Sequence, residues 1–292
     1  MFPWRDYLVL CKPRIVGLIV FTALVGMLLA PGMVAFPLLL SACVGIALAA
    51  ASAAALNHVV DQNIDAVMAR TLKRPLPKGN LSTRQALVFA ALLGVLAMVI
   101  LGLWVNELTA ALTFVSLIGY GVIYSMFLKR ATPQNIVIGG AAGAAPPVLG
   151  WSSVSNSLDP HALLLFLIIF AWTPPHFWAL AIARRKDYEN AGIPMLPVTH
   201  GLAFTRLHIL LYTLLLFIVT LLPYLTGMSG ITYLLGALGL GGGFLYVTVK
   251  LMRTEDETTA MHTFNYSIWY LMALFAALLI DRYIPVLVHL LA

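Results

Sequence analysis

Charge is what this chain has least of. Only 10% of its 292 residues are Asp, Glu, Lys or Arg, where a soluble domain carries about 25%. The polar surface that would hold a globule of this size in water is missing, which excludes a soluble enzyme. Cysteine is nearly absent as well. Cys11 and Cys43 have no paired spacing and no adjacent histidine, which excludes a disulfide framework and a thiolate zinc site. The net charge of +6 is not gathered into a basic stretch on a soluble module, so no nucleic acid is expected as a partner. No cleavage-site pattern and no Arg/Ser-rich transit segment follow the first residues, and a bacterial inner (cytoplasmic) membrane is the expected location.

What the chain has is apolar length. Hydrophobic residues make up 61% of it and the mean hydropathy is +0.96. A membrane-spanning helix takes about 20 mostly apolar residues, and nine runs qualify: 15–35, 37–60, 86–105, 108–128, 135–152, 161–183, 206–226, 230–251 and 264–284. The fifth is the weakest, being Gly/Ala-rich with Pro146 and Pro147 inside it. Of the 17 Lys and Arg, all but Arg282 fall before the first run, in the connections after runs two, four, six and eight, or, as Arg206 and Lys250 do, at the ends of runs seven and eight that adjoin those connections. Positive charge marks the cytoplasmic side, so the N-terminus is expected inside and the C-terminus outside. The expected fold is all-α: one polytopic transmembrane domain over residues 1–292, a helical bundle whose two long cytoplasmic loops are 61–85 and 184–205. These loops follow runs two and six, a spacing that suggests a duplicated four-helix unit plus a ninth helix.

The first loop opens on a polar constellation. Asn57, Asp61 and Asp65 stand at i, i+4 and i+8, and each four-residue step turns a helix by only about 40°, so the three share one face. Acids at the edge of the apolar region are expensive unless paired, metal-bound or facing a polar cavity. Their oxygens suit Mg²⁺, which joins one or two carboxylates to phosphate oxygens. Arg70, Lys73 and Arg74 follow, and acids that hold metal beside bases that hold anion describe a diphosphate site. The duller alternative is an interfacial helix end with solvated charges.

The second loop carries a related set, Arg184-Arg185-Lys186-Asp187-Tyr188-Glu189. One acid, Asp187, preceded by three cations favours anion capture, with Arg184 and Lys186 as candidates, over metal ligation; a topogenic cluster is the alternative. His58, beside the first ligand, and His176, after Pro174-Pro175 within a span, can each ligate a porphyrin iron, donate a proton or hydrogen-bond a neighbouring helix. Tyr124, Phe177, Trp178 and Tyr188, with Tyr120, can line an apolar groove and face a passing carbocation.

Asn57-xxx-Asp61-xxx-Asp65 with Met68-x-Arg70-Thr71-xx-Arg74-Pro75-Leu76, and the opening Leu10-x-Lys12-Pro13-Arg14, resemble the UbiA-type intramembrane prenyltransferases. Pro174-Pro175-His176-Phe177-Trp178, Lys186-Asp187-Tyr188-xx-Ala191-Gly192-Ile193-Pro194-Met195-Leu196-Pro197 and Tyr266-Ser267-xx-Tyr270-Leu271 are similar to the branch of that superfamily that farnesylates heme. Members acting on quinone precursors usually show an Asp-xxx-Asp pair in the second loop. Here Ala183 and Ala191 flank Asp187 at four residues on either side, so that pair is absent. The resemblance implies a Mg²⁺-dependent enzyme whose substrates are farnesyl diphosphate and heme B, the heme being substrate and not cofactor. It implies Asn57, Asp61 and Asp65 on the metal and Asp187 beside them in catalysis. Arg70, Lys73, Arg74, Arg184 and Lys186 would hold the diphosphate, and heme-copper oxidase assembly would be the partner process. Two rivals remain: prenylation of an aromatic quinone precursor, and a heme-binding transporter or assembly factor without catalysis. A transporter would place its polar site near the bilayer midplane, whereas both constellations lie at span ends.

Overall fold

A computed structural model describes residues 4–68, 71–254 and 256–291, with side chains through 284. All described regular structure is helical. It begins with α1 (Trp4–Leu10), α2 (Pro13–Leu29), α3 (Phe36–Val60), α4 (Gln62–Asp65), α5 (Thr83–Trp104) and α6 (Glu107–Ile118). A π-helical segment (Gly119–Leu128) continues α6 into α7 (Lys129–Ala131), followed by α8 (Asn135–Ala144), α9 (Pro146–Ser155) and α10 (Pro160–Ala183). The chain ends with α11 (Arg185–Asn190), α12 (Leu196–Thr199), α13 (Gly201–Val219), α14 (Leu222–Leu225), α15 (Ile231–Arg253) and α16 (Glu257–Leu291).

Among the described residues, 7 continuous helical stretches are long and apolar enough to cross a membrane. The pair α1 and α2, bent by 52° at Cys11 and Lys12, makes an eighth. The chain is therefore a polytopic membrane bundle. The weakest expected span, 135–152, is two helices of 10 residues each, α8 and α9, meeting at Ala145. Pro146 and Pro147 supply no N–H to the turn before them, which is why the helix breaks there.

Sequence signals explain most boundaries. Ser82 and Gln85 form a reciprocal capping box that starts α5. The Asn106 side chain accepts the Thr109 N–H at 2.8 Å and starts α6, and Asp159 does the same for α10 with Pro160 in its first turn. α10 is the centre of the bundle: it packs on α8, α9, α13 and α16, and 61% of its apolar window is buried. It stays helical through Pro174 and Pro175 because neighbouring helices surround it.

With no hydrophobic force between helices inside lipid, close packing holds them, and small residues allow it. α2 crosses α9 where Gly26 meets Pro147 and Gly150 meets Ala23; a Cβ on either glycine would stand 2.1 Å or 1.9 Å from the opposing carbonyl oxygen. This crossing leads the N-terminal end of α2 to the C-terminal end of α3, where the polar residues gather.

Candidate active site

The face predicted for Asn57, Asp61 and Asp65 is present. The Asp61 N–H donates to the Asn57 carbonyl at 2.9 Å and the Asp65 N–H to the Asp61 carbonyl at 2.8 Å, so helical bonding carries across the break between α3 and α4. All three side chains are buried. Thr71 locks the turn that follows, its hydroxyl donating to the Asp65 carbonyl at 2.9 Å.

Each of the three oxygen-bearing groups meets one cation at 2.6 Å: Lys12 Nζ on Asn57 Oδ1, Lys129 Nζ on Asp61 Oδ2 and Arg74 on Asp65 Oδ2. Lys12 reaches its partner from a left-handed backbone, φ 49° and ψ 61°, which costs a non-glycine residue roughly 1–2 kcal/mol. Lys129 comes from the end of the π-helical segment. That segment also stacks Tyr120 on Tyr124 with ring centroids 5.4 Å apart. The Tyr124 ring lies directly on Gly139 of α8, where a Cβ would fall 2.2 Å from it.

Of the predicted diphosphate residues, Arg74 is at the site and Lys73 is exposed on the loop surface, while Arg70 lies outside the described residues. In the second loop, Arg184 and Lys186 are exposed and Asp187 is half-buried, with no ion pair to any of them among the described residues. Lys186 lines an open cavity of about 310 Å³ with Arg185, Glu189 and Glu257, which includes no residue of the first constellation. The two loops nevertheless meet: Met68 from the first packs in one buried cluster with Trp178, Tyr188, Ile193 and Met195.

Among the described residues neither ring nitrogen of buried His58 has a hydrogen-bond partner, and its Nδ1 stands 4.0 Å from Asp65 Oδ2. His176 is committed to packing. Its Nδ1 pairs with Ser267 Oγ at 2.6 Å, and its ring is stacked between Trp172 and Phe264 with centroids at 4.1 Å and 4.5 Å. Phe177 is 39% exposed, and Trp178 is fully buried with its ring edge-on to Tyr212 of α13. Of the four predicted groove aromatics, Tyr124 is on the π-helical segment that leads into Lys129, and Tyr188 is in the loop cluster.

Sequence reasoning missed Lys129 as a site residue, counting it only as topogenic, and noted Lys12 only as part of an opening motif. Both lysines sit at span ends on the same side as the acids, which is the one signal that would have found them.

The donor set fits Mg²⁺. Among the described residues, buried Asp61 Oδ1 has no hydrogen-bond partner, which leaves an anionic acceptor open beside an amide oxygen and a second carboxylate. Among the described residues no three His, Cys, Asp or Glu converge, so two carboxylates and one amide would leave positions for water and substrate oxygens, as Mg²⁺ coordination prefers. Lys12, Arg74 and Lys129 against Asp61 and Asp65 leave surplus positive charge. With a divalent cation added, that surplus matches a trianionic diphosphate.

The profile of the UbiA prenyltransferase family matches residues 19–279. The chain belongs to that family. Among curated relatives, the protoheme IX farnesyltransferase of Alkalilimnicola ehrlichii is 63% identical over 97% of this chain and 94% of its own. That of Nitrosococcus oceani is 62% identical over 97% and 95%. Solved structures share the UbiA fold at low identity. One of digeranylgeranylglyceryl phosphate synthase superposes with a TM-score of 0.79 at 19% identity, covering 96% of this chain and 99% of that one. A UbiA homolog from Archaeoglobus fulgidus bound to GPP and Mg²⁺ superposes at 0.62 and 15% identity, covering 94% and 99%.

Proposed function

We propose that this protein transfers the farnesyl group of farnesyl diphosphate to a vinyl group of heme B, giving heme O and diphosphate. The observation that carries the diphosphate half is the buried face of Asn57, Asp61 and Asp65 with a cation on each member. Identity of 63% over nearly the whole chain to a protoheme IX farnesyltransferase supports the acceptor.

On this reading Mg²⁺ supplies positive charge to the leaving diphosphate. Asn57, Asp61 and Asp65 hold the ion. Lys12, Arg74 and Lys129 move from these oxygens to the diphosphate oxygens, adding charge-assisted hydrogen bonds as the allylic C–O bond breaks and the diphosphate leaves with the electron pair. Lys73, Arg184 and Lys186 form the charged mouth that draws the substrate in, with Asp187 beside them in the second loop, and Arg70 belongs to the same diphosphate set by its place in the sequence motif. Tyr120, Tyr124 and Tyr188 keep the reacting carbon dry and face the developing cation with their rings. The vinyl carbon of the heme bonds to C1 of the farnesyl group. Water then adds to the resulting ring-stabilised cation and loses a proton, completing the hydroxyethylfarnesyl substituent.

The finer topology belongs to the same proposal. α8 and α9 together form the fifth of nine spans, the N-terminus and the loops 61–85 and 184–205 are cytoplasmic, and the C-terminus is outside. Supply of heme O to heme-copper oxidase assembly is the partner process of this reading.

The test is incubation of the purified protein with heme B, farnesyl diphosphate and Mg²⁺, followed by mass spectrometry. A heavier heme carrying one farnesyl and one hydroxyl group more than heme B is expected from the native chain and is lost in Asp61→Ala and Asp65→Ala, both still inserted in the membrane. Native-level product from both variants would remove the metal-site reading, and no farnesylated heme from the native chain would remove the acceptor.

A further inference from the structure

Asn57 differs from the two acids around it in one respect: its two ends are opposites. The amide oxygen can bind a cation and the amide nitrogen cannot, so a metal ligand of this type works in only one of its two flips. We propose that Ser125 is a positioning residue that fixes which end of the Asn57 amide faces the cation site, through a hydrogen-bond chain anchored on the Tyr120 carbonyl. The proposal rests on the reading of Asn57 as a metal ligand.

The direction of the chain is forced from its anchor. The Tyr120 carbonyl can only accept, and the Ser125 hydroxyl donates to it at 2.9 Å. With its proton spent, Ser125 Oγ can only accept, and Asn57 Nδ2 donates to it at 3.1 Å. The second amide proton goes to Asp61 Oδ2 at 3.0 Å. Both donors are then used, and Oδ1 is left facing Lys12 Nζ at 2.6 Å, a position where that oxygen already takes a positive charge.

Lys12 and Asp61 also enforce this flip, but both change partners in the proposed reaction, one to the diphosphate and the other to the metal. Ser125 does not. It is fully buried and held by backbone. The π-helical segment makes the anchor available. In an α-helix a serine hydroxyl bonds the carbonyl three or four residues back, whereas here it reaches the fifth. That register brings Ser125 against α3 while Lys129, the first residue of α7 directly after the segment, reaches Asp61.

Outer hydrogen bonds of this kind are worth about 10–100-fold in metal affinity. The test reads Mn²⁺ affinity by electron paramagnetic resonance on the full-length protein in detergent, with inorganic diphosphate present. The variants are Ser125→Ala, Ser125→Val, Ser125→Thr and Asp61→Asn, and thermal unfolding without metal serves as the folding control. Ser125→Ala and Ser125→Val are expected to weaken Mn²⁺ binding about 10-fold. Ser125→Thr, which has the shape of valine but keeps the hydroxyl, should bind as the native chain does. Native affinity in Ser125→Ala, or equal affinity in the Thr and Val variants, overturns the proposal. If the larger side chains prevent folding, the native chain against Ser125→Ala decides. Asp61→Asn separates the two layers: its loss of Mn²⁺ binding upholds the metal site whatever Ser125 does, and its retention removes the reading on which Ser125 depends.

Discussion

Lys129 and Lys73 both belong to the charged side of the bundle, yet they are expected to matter very differently. Lys129 is 14% exposed and bonded at 2.6 Å to an Asp61 that is 4% exposed. Removing one partner of a buried pair leaves the other charge uncompensated, at a cost of about 3–5 kcal/mol. Lys73 is exposed and acts only through a screened field. Lys129→Met should therefore lower kcat/KM for farnesyl diphosphate by about a hundredfold or more at any salt concentration, in keeping with that cost. Lys73→Met should lower it only a few-fold at low salt and not at all at high salt. Steady-state kinetics at two ionic strengths checks both, and a large salt-independent loss in Lys73→Met would put the diphosphate nearer the loop than proposed. The acids were legible in the sequence because their i, i+4, i+8 spacing survives any helix they sit on. The cations that meet them were not. Lys12 depends on a left-handed backbone at a helix bend, and Lys129 on a π-helical register, and neither leaves a mark in residue spacing. Ser125 was invisible for the same reason, as one small polar residue in an apolar run.

At the scale of elements, hydropathy located the long helices because the bilayer sets both their length and their composition. It said nothing about which helices touch, since lipid-facing and protein-facing positions are equally apolar. That information lies in small residues, and only the packed structure shows which of the 22 glycines carry it. Gly150 has the Ala23 carbonyl oxygen 1.9 Å from where a Cβ would stand, whereas Gly17, also in a helix, has nothing within 4 Å. Gly150→Ala should force α9 away from α2 and destabilise the protein by about 1–3 kcal/mol, the usual cost of overpacking. Gly17→Ala should be neutral or slightly stabilising, since alanine is the better helix former by about 1 kcal/mol. Thermal unfolding in detergent reads both. The Gly150 variant should also lose activity, because α2 carries Lys12 at its start and a shifted α2 moves that amine off Asn57. Equal unfolding temperatures for the two variants would mean that the crossing has slack.

Across the whole molecule, the scarcity of charge and the place of the site are one fact. Lys12, Arg74 and Lys129 are drawn from the Lys and Arg that gather in alternate connections by sequence. A diphosphate is made and released in water, so a site built from cations at the span ends meets its substrate without carrying the anion into lipid. The weak point of this arrangement is the short pair α8 and α9. If the pair crosses the membrane, Ser157 lies outside and α16 ends outside. If it dips in and returns, Ser157 lies on the cytoplasmic side, and every later helix must either reverse or break the charge alternation. The two cases separate on labelling of intact cells with a membrane-impermeant maleimide, using a chain in which Cys11 and Cys43 are replaced by serine. Ser157→Cys should label from outside, and Lys78→Cys only after permeabilisation. The charge count favours crossing: a return would put Arg184, Arg185, Lys186 and Arg206 outside, contrary to the positive-inside preference. It would also separate α11 from the loop that carries Met68, although the two pack in one buried cluster with Tyr188 and Trp178. A maleimide result with Ser157 inside would therefore contradict the packing of the site as well as the topology.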